Sequence, residues 1–308
     1  MKDILVSIVV PIYGVEKFIV QCARSLFEQT YENIQYIFVN DCTKDNSVIL
    51  LKEIIELYPN RKKQVLIIEK EKNEGQSLAR KTGMQYVKGE YVMLLDSDDW
   101  VETTMVEQML NAIVAAKTDV VYCDYFKNSD TQTPINCIEI SNTKEYIKNM
   151  FLLRAPAQTW NKIYRSELFD KVEFPVKSMH EDLYINLQVM SYAKSVFHLK
   201  QNFYHYRNNP NSITHNYPLE QSIENLSLMR CFLEEKDMED VLPCFYSFLN
   251  YVKSFAFKRV RPLDKGLMKR LIEIDKQSDK YIFQTNQFNK FPTQLYLYWK
   301  LKTFRLNS

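Results

Sequence analysis

The chain has 308 residues, of which 46% are hydrophobic and 25% are charged, a composition typical of a soluble globular protein with a substantial core. Its formal net charge of +2 predicts no nucleic-acid partner. Its six cysteines are widely spaced and form no Cys-x-x-Cys pair, which argues against a zinc site and predicts reduced thiols. The apolar run near the N-terminus is too short to span a bilayer and has no small-residue cleavage site, so we predict a cytoplasmic protein.

The first 125 residues alternate between apolar strands and helices. Strands are predicted over residues 4–12, 34–40, 64–70, 91–96 and 119–125, and helices over residues 15–29, 47–58, 74–87 and 102–117. Strands that alternate with helices of about ten to fifteen residues indicate βαβ units and a mainly parallel sheet. Because the strands are almost continuously apolar, we expect helices to cover both faces of this sheet.

The second half is less regular and ends in a basic region. Helices are predicted over residues 144–153 and 183–193, a strand over residues 203–209, and mostly helical structure from residue 219 onward. Residues 251–308 contain thirteen Lys or Arg and four Asp or Glu, so their net charge is +9 and that of the other 250 residues is −7. An acidic body is therefore joined to a basic C-terminal region.

Three of the predicted strands end in side chains suited to ligand binding. The first ends in PIY (residues 11–13), the second in ND (40–41) and the fourth in DSDD (96–99). In parallel sheets, ligands bind at the carboxyl ends of the strands. The DSDD segment could be an ordinary polar turn. However, three aspartates within four positions repel one another, and a divalent cation would relieve that repulsion. This segment alone leaves both interpretations open.

The familiar glycine motifs for phosphate binding are missing. After the first strand there is only Gly14, where a dinucleotide-binding loop needs GxGxxG. The chain also lacks a GxxxxGK[ST] loop and the glycine-rich first loop of nucleotidyltransferases that make sugar nucleotides. The remaining option is a fold that binds a nucleotide diphosphate through a metal ion.

Three separated motifs resemble those of a known family. The segments VSIVVPIYGVEKFIVQCARSLFEQTYENIQYIFVNDCTKDNS, NEGQSLARKTGMQYVKGEYVMLLDSDDW and HEDLYINLQ occur in this order. Together they resemble the family 2 glycosyltransferases, which are sugar-nucleotide dependent and have the GT-A fold, over residues 4–214. The resemblance implies an α/β fold with a GT-A-type nucleotide-binding sheet flanked by helices and a mostly helical C-terminal region.

The domain organisation follows from the same resemblance. A GT-A catalytic domain is expected over residues 1–215, with a nucleotide-sugar half over 1–125 and an acceptor half over 126–215. A helical, basic C-terminal region is expected over residues 216–308.

The resemblance implies a metal-dependent, inverting glycosyltransferase. Such an enzyme moves a sugar from a nucleotide diphosphate donor, here a UDP-sugar, to a hydroxyl group of a glycan or lipid-linked acceptor, in surface polysaccharide synthesis. Mg²⁺ or Mn²⁺ stabilises the departing diphosphate, and a carboxylate takes the proton of the acceptor hydroxyl. The alternative is a non-catalytic sugar-nucleotide or glycan-binding module on the same fold.

The resemblance also gives roles to single residues. Asp182 matches the catalytic base, while Asp98 and Asp96 match the residues that bind the metal ion. Nucleotide binding is implied for Pro11, Ile12, Tyr13, Asp41, Arg80, Asp96 and Ser97. Residues 160–162 and 212–214 resemble acceptor-side and C-terminal segments of the family. The chain departs from the family pattern at residues 14, 40 and 42, which are Gly, Asn and Cys.

Several of these residues have a structural alternative. Glu181 and Asp182 fit the acidic first turn of a helix, where the helix dipole favours them, and Arg80 fits a solvated helix charge. His205 and His215 lie where some relatives have a third metal ligand, but a single histidine is more often structural. Packing roles are expected for Tyr204, Tyr206 and Trp100, with Trp100 packed under the DSDD turn.

Aromatic and basic side chains are interleaved in KFPTQLYLYWKLKTFR, residues 290–305. This mixture suits a membrane interface, where aromatic rings lie at headgroup level and cations meet anionic lipid. The alternative is a C-terminal helix that packs its aromatic residues on the catalytic domain. We therefore hypothesise peripheral association with an anionic membrane at its inner face, without a spanning segment.

Overall fold

The computed structural model describes residues 3–129, 131–208, 218–259, 264–283 and 291–306. Within these ranges nine strands form one sheet. The strands are β1 (Val6–Ile12), β2 (Ile34–Asn40), β3 (Val65–Glu69), β4 (Tyr91–Leu94), β5 (Trp100–Val101), β6 (Val120–Asn128), β7 (Gln132–Ile135), β8 (Lys162–Arg165) and β9 (Val196–Arg207).

Helices flank the sheet and form the C-terminal region. They are α1 (Ile19–Phe27), α2 (Ser47–Glu56), α3 (Pro59–Lys62), α4 (Gln76–Met84), α5 (Met105–Ala116), α6 (Thr143–Phe151), α7 (Glu181–Tyr192), α8 (Leu219–Glu235), α9 (Leu242–Arg259), α10 (Lys265–Glu273) and α11 (Phe291–Leu306). Two 3-10 helices cover Ser166–Lys171 and Lys276–Tyr281. The α/β architecture with a helical C-terminal region confirms the predicted fold class.

The strand order is β3-β2-β1-β4-β8-β6-β9-β5, with β7 paired to β6. The first four strands are parallel to one another. The chain moves outward from β1 to β2 and β3, and then crosses to the other side of β1 to form β4. The order therefore reverses between β1 and β4, and the crevice outside their carboxyl ends is where such sheets bind ligands.

The core of the sheet explains why β1 is apolar throughout. All seven of its residues are buried, as expected for a strand covered on both faces. Helix α4 packs especially closely on it, because a Cβ atom at Gly83 would lie 2.4 Å from Cγ1 of Val9. A glycine is needed at this contact, and the close packing brings the rest of α4 against the sheet.

The expectation of a mainly parallel sheet is correct for the first four strands and for the pairing of β6 with β9, but not for the middle of the sheet. The predicted fifth strand, β6, does not follow β4 in the sheet, because β8 lies between them and is antiparallel to both. Strand β8 has four residues and begins with a buried lysine, so it has none of the apolar length that marked the other strands. Strands β5 and β7 also lack a sequence signal of useful length.

The predicted strand at 203–209 needs the largest correction. Strand β9 spans Val196–Arg207 and pairs in parallel with β6 over most of its length. It also pairs with β5, which immediately follows the DSDD turn. The first half of β9 contains polar residues that obscured it in the sequence. Residues 209–217, including His215 and the segment 212–214, lie outside the described residues.

The C-terminal helices pack on the rest of the protein through aromatic side chains. The ring centroids of Phe151 in α6 and Phe245 in α9 lie 5.5 Å apart in an edge-to-face arrangement. In α11, Leu297 and Leu301 are buried, whereas Trp299 is 60% exposed. Over the described part of the chain, no helix combines the length and the apolar character needed to cross a membrane.

Candidate active site

The end of β1 presents one aromatic side chain at the crevice. Pro11 and Ile12 are buried within the strand, while Tyr13 is 51% exposed. Gly14 follows with a φ of +67° and donates its backbone N–H to Oγ1 of Thr43 at 2.9 Å. Tyr13 is therefore the residue of the predicted PIY motif whose side chain is exposed enough to stack on a nucleotide base.

At the end of β2, Asp41 organises the loop before α4. Its buried carboxylate accepts hydrogen bonds from Nζ of Lys70 at 2.6 Å and from the backbone N–H groups of Glu74 at 3.0 Å and Gly75 at 2.7 Å. Gly75 adopts a φ of +91°, which glycine accommodates without strain. These contacts fix the start of α4, and the nucleotide contact of Asp41 stays a prediction.

After β4, the three aspartates of the DSDD turn divide into two environments. Asp99 is buried, and its carboxylate accepts hydrogen bonds from the hydroxyl of Tyr204 and the backbone N–H of Arg207, both at 2.7 Å. Burial, together with the charges of Asp98 and Asp96, raises the pKa of Asp99 well above its usual range. Asp96 and Asp98 are only partly buried. The third carboxylate therefore anchors the turn, and two remain at the crevice. Ser97 between them is buried.

Arg80 in α4 connects this turn to α7. Its side chain is fully buried, so it is not a solvated helix charge. Nη2 donates to Oδ1 of Asp96 at 2.6 Å, and Nη1 donates to Oε1 of Glu181 at 2.7 Å and Oδ1 of Asp182 at 2.8 Å. Burial opposes the charge of Arg80, but Asp182, Asp96 and Glu181 outweigh it and raise the pKa above its usual range. The predicted donor-side and base residues thus meet on one guanidinium.

One guanidinium faces three carboxyl groups, so the cluster has an excess of negative charge whenever all three are ionised. Burial raises the pKa of Asp96 above its usual range, and the nearby Asp182 and Asp98 add to this effect while Arg80 opposes it. Burial also raises the pKa of Glu181, whose Oε2 is buried without a hydrogen-bond partner among the described residues. A cation near these carboxylates would stabilise their ionised forms.

The donor set at the turn fits a hard divalent cation. Asp96 and Asp98 supply carboxylate oxygens, which Mg²⁺ and Mn²⁺ prefer, and such ions often use only one or two carboxylates together with substrate phosphates. In the part of the chain that the structure describes, no group of three or more His, Cys, Asp or Glu could hold a metal ion. Nε2 of His205 instead lies 2.7 Å from Oε1 of Glu102.

Asp182 lies in the first turn of α7, as the helix interpretation of this segment predicts. Its side chain is 28% exposed, and Oδ1 accepts hydrogen bonds from Arg80 and, at 3.2 Å, from Oγ1 of Thr159. The two interpretations of Asp182 are compatible, because the same helix position places its carboxylate beside Arg80 with part of its surface accessible.

The loop before β8 is held in place by a buried lysine. Nζ of Lys162 donates to two backbone carbonyls of this loop and to Oδ1 of Asn161 at 2.9 Å. Burial lowers the pKa of Lys162 to about 7. This loop places Thr159 within hydrogen-bond distance of Asp182. The segment at 160–162 therefore contributes to the site by fixing the loop backbone.

A stack of rings supports the turn from the interior. The centroid of Trp160 lies 4.1 Å from that of Tyr204 and 5.6 Å from that of Tyr206, with nearly parallel planes. Tyr204 is fully buried, which confirms its predicted packing role. Trp100 in β5 stacks on His205 at 4.8 Å. These packing roles explain four aromatic residues without a ligand.

Sequence reasoning gave no role in the site to two polar residues. Nε2 of Gln76 donates to Oδ1 of Asp96 at 2.6 Å, and Thr159 donates to Asp182. Gln76 lies within the NEGQSLAR motif, so its proximity to Gly75 and Arg80 was an available signal. Thr159 immediately precedes residues 160–162 but has no distinguishing neighbour of its own.

Comparisons with known proteins agree on one family. The sequence model for "Glycosyl transferase family 2" matches residues 7–173. The chain is 30% identical over 224 residues to the glycosyltransferase GlyA of Streptococcus pneumoniae serotype 4, covering 67% of this chain and 31% of GlyA. It is 31% identical over 251 residues to the putative glycosyltransferase EpsH of Bacillus subtilis, covering 77% of this chain and 71% of EpsH. The chain thus spans about a third of GlyA.

A shorter match and a solved structure add detail. Over 116 residues, 37% of this chain and 12% of the relative, the sequence is 38% identical to the minor teichoic acid biosynthesis protein GgaB of B. subtilis. The fold is similar to that of S. aureus TarS 1–349 in complex with UDP-GlcNAc, with a TM-score of 0.74, 19% identity, and coverage of 97% of this chain and 91% of TarS 1–349.

The sheet with its flanking helices has the GT-A fold of glycosyltransferases. The chain belongs to glycosyl transferase family 2.

Proposed function

We propose that the protein transfers a sugar from a UDP-sugar to a hydroxyl group of a glycan or lipid-linked acceptor, with inversion at the anomeric carbon. The observation that carries this proposal is the arrangement around Arg80, which joins Asp96 of the DSDD turn to Asp182 of α7. A donor at the carboxyl ends of β1 and β4 would then lie next to a partly exposed carboxylate that can act as a base.

On the donor side, Asp98 and Asp96 would hold Mg²⁺ or Mn²⁺. When bound, such an ion stabilises the charge of the departing diphosphate as a Lewis acid. Tyr13 would cover the base, and Arg80 would favour the ionised form of Asp96. UDP as the nucleotide is supported by the UDP-GlcNAc bound to TarS, whose fold this chain shares.

On the acceptor side, Asp182 would accept the proton of the attacking hydroxyl. The acceptor oxygen would form a bond to the anomeric carbon as the bond to the diphosphate breaks, and the single displacement would invert that centre. Oδ1 of Asp182 is held by Arg80 and Thr159, which fixes the orientation of the carboxylate. No enzyme nucleophile is needed in this scheme.

The acceptor class and the location rest on different observations. The match to a teichoic acid biosynthesis protein supports a surface polymer or its lipid-linked precursor as acceptor. At the C-terminus, Tyr298 is 44% exposed, Trp299 is 60% exposed, and Lys300 and Lys302 are exposed beside them. This surface, within a region of net charge +9, supports peripheral association with the inner face of an anionic membrane.

The metal-dependent binding of the donor is tested with Asp98→Ala. Calorimetric titration with UDP in the presence of Mn²⁺ or EDTA should show metal-dependent binding for the wild type and none for the variant, with unchanged circular dichroism. Asp170→Ala, which removes an exposed carboxylate outside the site, is the matched control. Metal-dependent UDP affinity that survives in Asp98→Ala would contradict the role of Asp98.

Transfer is tested separately by incubating the wild-type protein with a panel of nucleotide sugars and measuring released nucleotide, with and without EDTA. Release of UDP that requires a divalent cation would support the enzyme. Metal-dependent binding of UDP-sugars with no release of UDP, in the presence of glycan and lipid-linked acceptors, would instead indicate a binding module.

A further inference from the structure

Arg207, the last residue of β9, contacts two consecutive residues of the DSDD turn. Its backbone N–H donates to Oδ1 of Asp99 at 2.7 Å, and its side-chain Nε donates to the backbone carbonyl of Asp98 at 2.9 Å. The first contact satisfies a buried carboxylate, and the second fixes the peptide unit that follows Asp98. One residue therefore restrains the turn on both sides of the bond between Asp98 and Asp99.

The guanidinium of Arg207 is itself held in a fixed orientation. Nη2 donates to Oε1 of Gln21 in α1 at 2.5 Å. Its central carbon lies 4.5 Å from the ring centroid of Trp100 and 4.9 Å from that of Phe18, both within the range of cation–π contacts. A planar guanidinium can stack its face on a ring while its edge donates hydrogen bonds, whereas an ammonium group has no planar face to stack.

We infer that Arg207 is a positioning residue for the metal-binding turn. It sets the backbone at Asp98, so that the carboxylate of Asp98 has fewer conformations to lose when it binds a cation. This inference rests on the proposed metal role of Asp98. It assigns a function to contacts made from a strand more than a hundred residues away, in a part of the chain that the family motifs of the donor half do not include.

The inference predicts a specific loss in Arg207→Met, which keeps an unbranched apolar stem but removes the guanidinium and its side-chain hydrogen-bond donors. Residues that support metal ligands typically contribute about 10–100-fold to metal affinity. The Mn²⁺ concentration that gives half-maximal UDP binding should therefore rise by about tenfold or more. At saturating Mn²⁺, UDP affinity and the rate of transfer should return close to wild-type values.

Two further variants make the comparison specific. Arg207→Lys keeps the charge but loses the planar group, so we expect a half-saturating Mn²⁺ concentration between those of the wild type and Arg207→Met. Arg24→Met removes an exposed arginine from α1, the helix that carries Gln21, and should leave the Mn²⁺ dependence unchanged. Melting temperatures of all variants separate loss of stability from loss of metal affinity.

Hydrogen exchange measured without metal provides a readout that does not depend on the proposed function. Backbone amides of residues 95–101 should exchange faster in Arg207→Met than in the wild type. If UDP binding by the wild type proves independent of metal, the proposed metal role fails, while faster exchange would still show that Arg207 orders the turn. The inference is overturned by unchanged exchange of this segment, or by a variant that is less stable yet keeps the wild-type Mn²⁺ dependence.

Discussion

Arg80 and Asp182 are joined by a hydrogen bond of 2.8 Å between Nη1 and Oδ1, at the point where α4 meets the start of α7. The same guanidinium donates to Asp96 at 2.6 Å. The carboxylate proposed for the metal and the carboxylate proposed as base therefore share one buried cation. Charges interact strongly in such a buried environment. A change of charge at Asp96 will therefore change the electrostatic potential at the carboxylate of Asp182.

Asp182→Asn separates donor binding from chemistry. The amide oxygen can still accept the hydrogen bond of Arg80, but the group can no longer take a proton. We expect UDP-sugar affinity close to that of the wild type and a rate of transfer lower by about two orders of magnitude or more, as for the loss of a general base. Calorimetry and a transfer assay measure the two quantities. A variant that transfers at near the wild-type rate would show that another group is the base.

Tyr204→Phe tests the anchoring of the turn through Asp99. The substitution removes the hydroxyl that donates to Oδ2 of Asp99 and leaves that buried oxygen short of a partner. Such a loss costs about 1–3 kcal/mol of the free energy of unfolding, measured by chemical denaturation. Tyr86→Phe, at a position that is 45% exposed, is the control and should change stability by less than about 0.5 kcal/mol. Equal effects of the two substitutions would contradict the anchoring role.

The lowered pKa of His180 predicts that this residue contributes less to stability in acid. Burial lowers its pKa to about 4 from an ordinary value of 6.5, so the folded state binds fewer protons than the unfolded state between these values. The contribution of His180 to the free energy of unfolding should therefore fall as the pH drops from about 6.5 towards 4, whereas the raised carboxyl pKa values of Asp96 and Glu181 act in the opposite direction. The contribution of His180 to the free energy of unfolding should change by about 2 kcal/mol over this range. This is less than the full pKa shift would give, because part of the side chain is accessible to solvent.

The matched variant for this experiment is His180→Asn. Residue 180 has a φ of +65°, and asparagine tolerates this left-handed conformation better than most residues. The free energy of unfolding of both proteins is measured from pH 7.5 to 4, and the wild type should lose stability relative to the variant as the pH falls. Parallel pH curves for the two proteins would mean that His180 does not titrate in this range.

The exposed aromatic residues of α11 predict binding to anionic lipid. The wild type should sediment with vesicles that contain anionic lipid at low salt and be released at high salt, because each basic residue near the surface contributes about 1 kcal/mol. Trp299→Ser combined with Lys302→Glu should weaken this binding, whereas Tyr86→Ser, an exposed aromatic residue in the donor half, should not. Equal recovery of the wild type in the supernatant with and without vesicles would remove the membrane role and leave the enzyme assignment intact.

Local sequence was sufficient where a strand is long and buried on both faces. Strands β1 and β2 and their flanking helices were predicted because an apolar run between turn residues has few other structural explanations. Strand β8 was missed because its first residue is Lys162, a charged residue that is normally exposed and here is fully buried. The first half of β9 was missed for a similar reason, since charged and amide side chains interrupt its apolar pattern.

The site was predictable as a set of residue types but not as a set of contacts. The strand ends placed Tyr13 and Asp96 at one edge of the sheet from topology alone. The contacts of Arg80 with Glu181 and Asp182 span 101 and 102 positions, and no local pattern encodes them. Asp99 is buried, unlike Asp96 and Asp98, because it accepts hydrogen bonds from two residues of β9. Three carboxylates that look equivalent in the sequence become distinct only through tertiary packing.

The contacts between the DSDD turn and β9 also set an order of assembly. Tyr204 and Arg207 follow Asp99 by 105 and 108 positions, whereas the four parallel strands β1 to β4 are complete at residue 94. During synthesis the donor half of the sheet can therefore begin to pair long before the partners of Asp99 leave the ribosome, and such long-range pairings form slowly. We expect a nascent chain to form its parallel strands early and its finished DSDD turn only after β9 docks, so the proposed metal and donor site would be the last part of the sheet to be completed.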